Sequence, residues 1–196
     1  MRRLATLTLL ALLVSVPAVA QTTWQIDPAH SRAMFTVRHL GIANIRGDFS
    51  GVTGTVTFDG TDVTKAMVKA TIDVNSITTR VAPRDNHLKT ADFFDVESHP
   101  TMTFVSTSIT SAGNGRYKMT GDLTLRGVTK SVTFDLEPPA GPITDPNNGA
   151  TRMGAAATGS IDRKDFGVNY HQVLEGGVLG VGDVIQIQLD VEMIRQ

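Results

Sequence analysis

Alternation of apolar and polar residues recurs along most of the chain after residue 30. The C-terminal segment shows it most clearly, because every second residue is apolar: Ile185, Ile187, Leu189, Val191 and Met193. A period of two is typical of a β-strand with one buried and one exposed face. Seven further segments share this pattern, at residues 34–39, 52–59, 68–75, 102–106, 117–125, 128–136 and 153–161. The sequence therefore predicts about eight antiparallel strands.

Eight such strands form either a closed barrel or a two-layered sandwich. Glycines occur within or beside the strands at residues 47, 51, 54, 121, 154 and 159. Strongly bent, closed sheets need glycines where Cβ atoms would collide. We therefore predict an all-β fold, an eight-stranded antiparallel β-barrel, and keep the sandwich as the alternative. A barrel of this size is either just filled by side chains or holds one small ligand.

Two segments interrupt the alternation. The first, residues 76–100, contains a dense run of ionic, aromatic and histidine residues between Arg84 and Pro100. We predict a short helix over residues 86–94, capped by Asp85. The second interruption, residues 138–149, contains four prolines, and we predict a loop that cannot pair in a sheet.

The N-terminus has the order of a secretory signal peptide. Arg2 and Arg3 precede an apolar run at residues 4–16, and Ala18-Val19-Ala20 offers a small-residue cleavage site. The run is too short for a stable membrane anchor across about 30 Å of hydrocarbon. We predict that residues 1–20 are a cleaved signal peptide and residues 21–196 a single domain. The expected location is the periplasm, with secretion as the alternative.

Composition excludes several function classes. Without Arg2 and Arg3, 16 basic residues face 19 acidic ones, so no strongly basic surface for nucleic acid is expected. The chain has no cysteine, which rules out disulfides and thiolate chemistry. The domain must therefore be held together by its core and by closed hydrogen bonding.

Candidate catalytic and metal-binding residues do not form a recognisable motif. The five histidines, His30, His39, His87, His99 and His171, include no His-x-His pair that would place two ligands on one strand face. No Gly-x-Ser-x-Gly motif for a nucleophile occurs. The aspartates near residues 85–95 and 162–165 lie beside basic residues, so ion pairing or helix capping explains them. The sequence predicts no metal, no cofactor and no catalytic residue.

The aromatic content is low for a barrel of this length. Eight phenylalanines, two tyrosines and one tryptophan must fill an interior otherwise supplied by valine, threonine, glycine and alanine. Small residues such as Ala155, Ala157, Gly121 and Gly159 are expected to leave room between the walls. The sequence therefore predicts an interior cavity for an apolar ligand.

Several motifs, in order along the chain, resemble the YceI-like, polyisoprenoid-binding family. They are Trp24-x-Ile26-Asp27-x-x-His30-Ser31, Phe35-x-x-x-His39, Gly47-x-Phe49, Arg84-Asp85-x-His87-Leu88, Asp92-Phe93-Phe94-Asp95, Pro100-Thr101-x-x-Phe104, Gly121-Asp122-Leu123-Thr124-Leu125-x-Gly127-Val128-Thr129-Lys130 and Ile161-Asp162-Arg163-x-Asp165-Phe166-Gly167. The resemblance covers essentially all of residues 24–193.

The resemblance implies a lipocalin-like barrel with a short helical insertion and a tunnel for a long lipid. The implied ligand is a polyisoprenoid, a quinone-like molecule or a fatty amphiphile, held by a monomer or a homodimer. The residues expected to contact its tail are Phe35, Val37, Phe49, Phe58, Phe93, Phe94, Phe104, Ala157 and Phe166. A polar head group at the mouth would meet His39, Arg84 and His87, and Phe93 and Phe94 would form an apolar flap.

Two other functions and one other role stay open at this point. A lipid-modifying enzyme would use His39 or His87 as a general base. A stress-protective interaction module would use the outer surface of the sheet instead of the interior. The polar motif residues His30, Arg84 and Asp85 also fit a purely structural role, in which they tie the insertion to the barrel wall.

Overall fold

The computed structural model describes residues 21–173 and 175–196, so the predicted signal peptide lies outside the described residues. The strands are β1 (Thr22–Ile26), β2 (Arg32–His39), β3 (Ala43–Phe49), β4 (Val52–Phe58), β5 (Met67–Asp73), β6 (Ile77–Thr78), β7 (Thr101–Gly113), β8 (Arg116–Leu125), β9 (Val128–Leu136), β10 (Ala140–Thr144), β11 (Thr151–Asp162) and β12 (Val181–Arg195). One α-helix, α1 (Ala82–Leu88), follows β6. No helix among the described residues has the length and apolar character needed to cross a bilayer.

Eight of these strands close into a ring. Each strand pairs with the next in the order β1, β4, β5, β7, β8, β9, β11 and β12, and β12 pairs again with β1. All of these pairings are antiparallel, as are those of the four additional strands. The predicted eight-stranded antiparallel barrel is therefore confirmed.

The barrel wall continues beyond the closed ring at one end. Both β1 and β2 pair with β12, so they act as two halves of one strand separated by a turn. In the same way β4 pairs with β1 and β3 pairs with β2, while β6 adds to β3. We call this end, formed by the β2–β3 hairpin, α1 and residues 163–173 and 175–180, the mouth of the barrel.

The helical insertion begins earlier than the sequence predicts. Helix α1 starts at Ala82, with Pro83 in its first turn, whereas the sequence predicts a start at residue 86. Proline is favoured in the first turn, where its missing N–H would have no partner. Asp85 therefore lies inside the helix, and its carboxylate instead accepts a hydrogen bond from the Thr79 N–H at 2.8 Å. The prediction that Asp85 caps the helix is wrong.

The proline-rich segment does pair with the sheet. Strand β10 pairs with β11, with an irregular register between Ala140 and Ile143 that includes Pro142. β10 pairs with no strand other than β11 in the described part of the chain, and an edge strand tolerates proline because its outer side needs no N–H donor. The prediction of an unpaired loop is wrong over residues 140–144.

The inner face of the barrel follows the predicted alternation closely. On β12 all five apolar residues of the alternating pattern face the interior. Strand β7 departs from it, because an irregularity between Ser106 and Ser108 shifts the register and brings Ile109 inward. A bulge of one residue reverses which side chains face the core.

Candidate functional site

The barrel encloses a cavity of about 250 Å³. Every strand of the ring contributes to its wall, and the side chains there are apolar except for Arg32 and Arg163. Clefts that hold small lipophilic ligands are lined mostly by apolar side chains, with few polar groups. The interior is therefore suited to an apolar ligand.

The structure brings most of the predicted tail contacts together in this cavity. The lining residues from the sequence prediction are Phe35, Val37, Phe49, Phe58, Phe93, Phe94, Phe104 and Ala157. Phe166 lies elsewhere, in the 3-10 turn Arg163–Phe166, where it is 1% exposed and is not among the lining residues. Its contact with a ligand stays a prediction.

A second, more polar cavity of about 190 Å³ adjoins the first at the mouth. The two share the side chains of Phe35, Val37, Leu88, Phe93 and Val181. We call the second cavity the vestibule, and its polar lining residues are Arg38, His39, Thr79, Arg84, His87, Tyr170 and Gln172. The three predicted head-group residues thus lie together, outside the apolar cavity and next to it.

Arg84 is held in the vestibule wall by Thr79. Its Nε donates to the Thr79 hydroxyl at 2.7 Å, and its Nη2 donates to the Thr79 carbonyl oxygen at 3.0 Å. Asp85 accepts hydrogen bonds from the same threonine, and Thr79 is itself buried. In the described residues Nη1 of Arg84 has no hydrogen-bond partner. The guanidinium is therefore both fixed in position and able to bind an anion or a carbonyl oxygen.

His87 is part of an aromatic cluster between the vestibule and the cavity. Its ring packs edge-on against Phe93 and Tyr170, with centroid distances of 5.1 Å and 5.3 Å. Its Nε2 lies 2.7 Å from the Asp92 carboxylate. Phe94, on the cavity side, packs edge-on against Phe49 at 5.6 Å. Phe93 and Phe94 therefore both line the apolar cavity, and their role as a flap stays a prediction.

Tyr170 is a further residue of this cluster, and the sequence alone does not point to it. It lies between the turn Arg163–Phe166 and β12, in a segment without periodic alternation. The only local signal is an aromatic residue between the polar residues Asn169 and His171, which does not show what it would contact. Only closure of the barrel brings this connection against the insertion.

Arg163 is a buried cation at the mouth. Its guanidinium donates to the carbonyl oxygens of Val168 at 2.6 Å and Gly182 at 3.0 Å, and to the Asp183 carboxylate at 2.8 Å. The sequence predicts that the neighbouring aspartates pair with basic residues or cap a helix; Asp162 does not pair with Arg163, and instead caps the 3-10 turn by accepting the Lys164 N–H at 2.8 Å. A buried charge with several hydrogen-bond partners costs far less than an isolated one. Arg163 thus anchors the start of β12 while contributing to the cavity wall.

Two glycines do not create the space that the sequence suggested. A Cβ atom built at Gly121 would lie 2.5 Å from the ring of Phe104, and one built at Gly159 would lie 2.7 Å from the ring of Phe134. Each glycine is therefore covered by an aromatic ring from a nearby strand. The predicted cavity exists, but Ala155, Ala157 and the aliphatic residues line it, and these two glycines do not.

His30 belongs to a charged cluster remote from the insertion. Arg152 lies 2.8 Å from Asp27 and 2.6 Å from Glu192, while His30 lies 2.9 Å from Asp27. The hydrogen bonds from His30 and then Arg152 lower the pKa of Asp27 to about 2. Its described partners come from the wall, so His30 does not tie the insertion down, contrary to the structural alternative.

The same cluster is the group of described residues closest to a metal-ligand set. Asp27, His30 and Glu192 each offer one ligand atom within 4.8 Å of the others. The Arg152 guanidinium already lies between the two carboxylates and compensates their charge, as its raised pKa reflects. The arrangement is that of a structural ion-pair network.

Sequence and structure comparisons give the same family. The YceI-like domain matches residues 24–193. The chain belongs to the YceI-like family. A UPF0312 protein of Staphylococcus aureus strain MSSA476 is 34% identical over 171 residues, which cover 87% of this chain and 96% of that protein.

Solved YceI-like structures share the barrel. A Campylobacter jejuni YCEI protein is 30% identical with a TM-score of 0.68, covering 81% of this chain and 90% of its own. Burkholderia cenocepacia BcnA has a TM-score of 0.73 at 24% identity, covering 85% and 98%. A polyisoprenoid binding domain from Saccharophagus degradans has a TM-score of 0.62 at 12% identity, covering 88% and 98%. The last two likenesses establish the fold alone.

Proposed function

We propose that this YceI-like protein is a non-catalytic periplasmic carrier for a long-chain isoprenoid or a similar amphipathic lipid. One observation supports the proposal most strongly: an apolar cavity inside the barrel continues into a polar vestibule with shared walls. A lipid with a long tail and a small polar head has the same division. The tail would occupy the cavity and the head would occupy the vestibule.

Burial of the tail supplies the binding free energy. Each CH₂ group transferred from water contributes about 0.8 kcal/mol, so roughly fifteen carbons match the ~12 kcal/mol of nanomolar binding. Carbons beyond that number add little usable affinity. The shape of the cavity would therefore set which lipid is selected more than how tightly it is held.

Arg84, His39 and His87 are the proposed head-group contacts. The fixed guanidinium of Arg84 presents unused N–H donors to the vestibule, and such donors suit a phosphate or a quinone carbonyl. Since His87 packs against Phe93, a head group there would also lie at the entrance to the cavity.

The ligand class and the location have separate support. The Saccharophagus degradans barrel is described as polyisoprenoid-binding, which makes isoprenoids the first class to test here. The N-terminal basic pair, apolar run and Ala-Val-Ala sequence support export. A homodimer is compatible with the proposal but not required, because one chain supplies both cavities.

Organic extraction of protein purified from its native compartment, followed by mass spectrometry, tests this function. We expect one prenyl or fatty lipid in near-stoichiometric amount. Arg84→Gln should weaken retention of a lipid with an anionic head about tenfold, the loss of one charged hydrogen bond. Arg116→Gln, at the β7–β8 turn of the opposite end, is the matched control. An empty cavity in repeated preparations would refute the carrier.

Extraction from two further kinds of variant, at position 87 and in the cavity, separates the carrier from the two rival functions. An enzyme that uses His39 or His87 as a base would release a chemically altered lipid, and His87→Ala would abolish that product. A carrier returns the lipid unchanged, whatever the residue at position 87. An interaction module would keep its activity when a bulky side chain fills the cavity, as in Ala157→Phe.

A further inference from the structure

Exposed apolar side chains gather at the mouth of the barrel. The described residues include eight large apolar side chains that are strongly exposed: Ile42, Met67, Val81, Val105, Ile143, Val173, Val178 and Val184. Three of them lie on the segments that form the mouth, and Val81 directly precedes α1; we call Ile42, Val81, Val173 and Val178 the apolar rim. Met67 and Ile143 lie at the opposite end. Scattered apolar residues need no explanation, but a set around one opening does.

At the β2–β3 hairpin, the part of the rim that carries Ile42 is in contact with the part that carries Val178. Ile42 lies at the tip of the hairpin and is 79% exposed. The Leu40 N–H donates to the Gly180 carbonyl oxygen at 3.1 Å, which joins the hairpin to the connection before β12. A Cβ built at Gly41 would lie 3.6 Å from Val178, so the hairpin tip and Val178 are neighbours.

Basic side chains flank the rim. Arg38 and Arg46 lie on the two strands of the hairpin, and Arg80 directly precedes Val81; all three are exposed. Within the described residues none of them has a carboxylate within 4 Å. Apolar side chains at a tip with arginines set back from it are typical of proteins that dock on an anionic lipid surface.

We propose that the mouth docks on an anionic membrane surface through the apolar rim and these arginines, so that lipid passes directly between bilayer and barrel. This inference rests on the proposed function, since only a lipid ligand has to pass through the mouth. Val81 precedes the helix that carries Arg84, and Val178 lies close to Gly180 of the vestibule wall. Docking would therefore place the vestibule at head-group depth without exposing the tail to water.

Co-flotation with vesicles tests the docking directly. The wild-type protein should float with vesicles of phosphatidylcholine and phosphatidylglycerol in a ratio of three to one, and much less with pure phosphatidylcholine. An Ile42→Ser, Val178→Ser variant should lose at least about tenfold in partitioning, since two side chains no longer insert. The Met67→Ser, Ile143→Ser variant changes two exposed apolar residues at the other end and should float as wild type.

A gain-of-binding variant guards against losses caused by misfolding. Ile42→Trp should strengthen flotation, because tryptophan is favoured at the bilayer interface. The wild-type sequence has one tryptophan, Trp24, and it is buried. A blue shift of tryptophan fluorescence on adding vesicles therefore reports on the new tryptophan at position 42. No shift and no gain in flotation would overturn the proposal, as would equal loss in the control variant.

Lipid retention separates this inference from the proposed function. Wild-type protein that retains lipid but does not float refutes docking and leaves the carrier intact. Once loaded with lipid, the Ile42→Ser, Val178→Ser variant should hold it as tightly as wild type does while losing flotation. Ala157→Phe should lose lipid retention while floating as wild type does. If both variants lost both properties together, the proposal would be contradicted.

Discussion

The rings of Phe93 and Tyr170 pack against each other across the mouth of the barrel, with their centroids 4.7 Å apart. Phe93 comes from the insertion after α1, and Tyr170 comes from the connection between β11 and β12. Their contact joins two segments that are far apart in the sequence, at the boundary between the cavity and the vestibule.

Loss of this contact should open the mouth. We expect Phe93→Ala to release a bound fluorescent fatty amphiphile to acceptor vesicles at least about tenfold faster. Because Phe93 is buried, the substitution should also cost roughly 3 kcal/mol of stability. Tyr170→Phe retains both rings and is the control. Unchanged release from Phe93→Ala would show that the ring does not limit exchange.

Bulk added inside the barrel should displace the ligand. Ala157 is 3% exposed and lines the cavity, so Ala157→Phe should abolish lipid retention at a stability cost of about 1–3 kcal/mol. Val105→Phe adds a ring at an exposed position of β7 and should change neither quantity. Extraction with mass spectrometry and urea unfolding measure the two effects. Normal retention in Ala157→Phe would favour the interaction module.

Gly159 should tolerate no methyl group, although it lies in an ordinary strand. A Cβ there would meet the Phe134 ring at 2.7 Å, so Gly159→Ala should lose about 1–3 kcal/mol. Gly154, on the same strand, has no atom closer than 3.9 Å to its built Cβ, and Gly154→Ala should be neutral or slightly stabilising. In the Phe134→Leu background, Gly159→Ala should cost less stability than in wild type. An equal cost in both backgrounds would contradict the steric cause.

Acid should weaken the Asp27 cluster in a defined pH range. The pKa of Asp27 falls from 3.8 to about 2 in the folded chain, so the native state binds fewer protons than the unfolded state between these values. The stabilisation is therefore complete above about pH 4 and is lost as the pH falls towards 2.

Arg152→Met should make that loss of stability less steep, because it removes one of the hydrogen bonds that lower the Asp27 pKa. It should also lower the urea midpoint at pH 7. Arg195→Met removes an exposed arginine near the same end and should leave the pH profile unchanged. Urea midpoints measured from pH 2 to 7 test this, and parallel profiles for wild type and Arg152→Met would refute it.

Much of the fold could be predicted from the sequence because alternation is a local property. The apolar residues of β12 and β4, for example, line the cavity as their spacing requires. Strands β1 and β3 were not among the eight predicted, since they are half-strands whose pairing with longer partners makes them part of the wall. The predictions of the helix start and of an unpaired loop at β10 were wrong because both treated proline as a residue that ends regular structure.

The sequence by itself determined the alternation of apolar and polar residues along most strands, the low aromatic bulk of the interior and the position of the polar insertion. The tertiary structure alone decided which residues meet: Phe134 covers Gly159, Tyr170 packs on Phe93, and Arg152 joins Asp27 to Glu192. The physical reason is that burial depends on each residue and its near neighbours along a strand. Contacts across the barrel depend instead on register and closure, which the whole chain sets together.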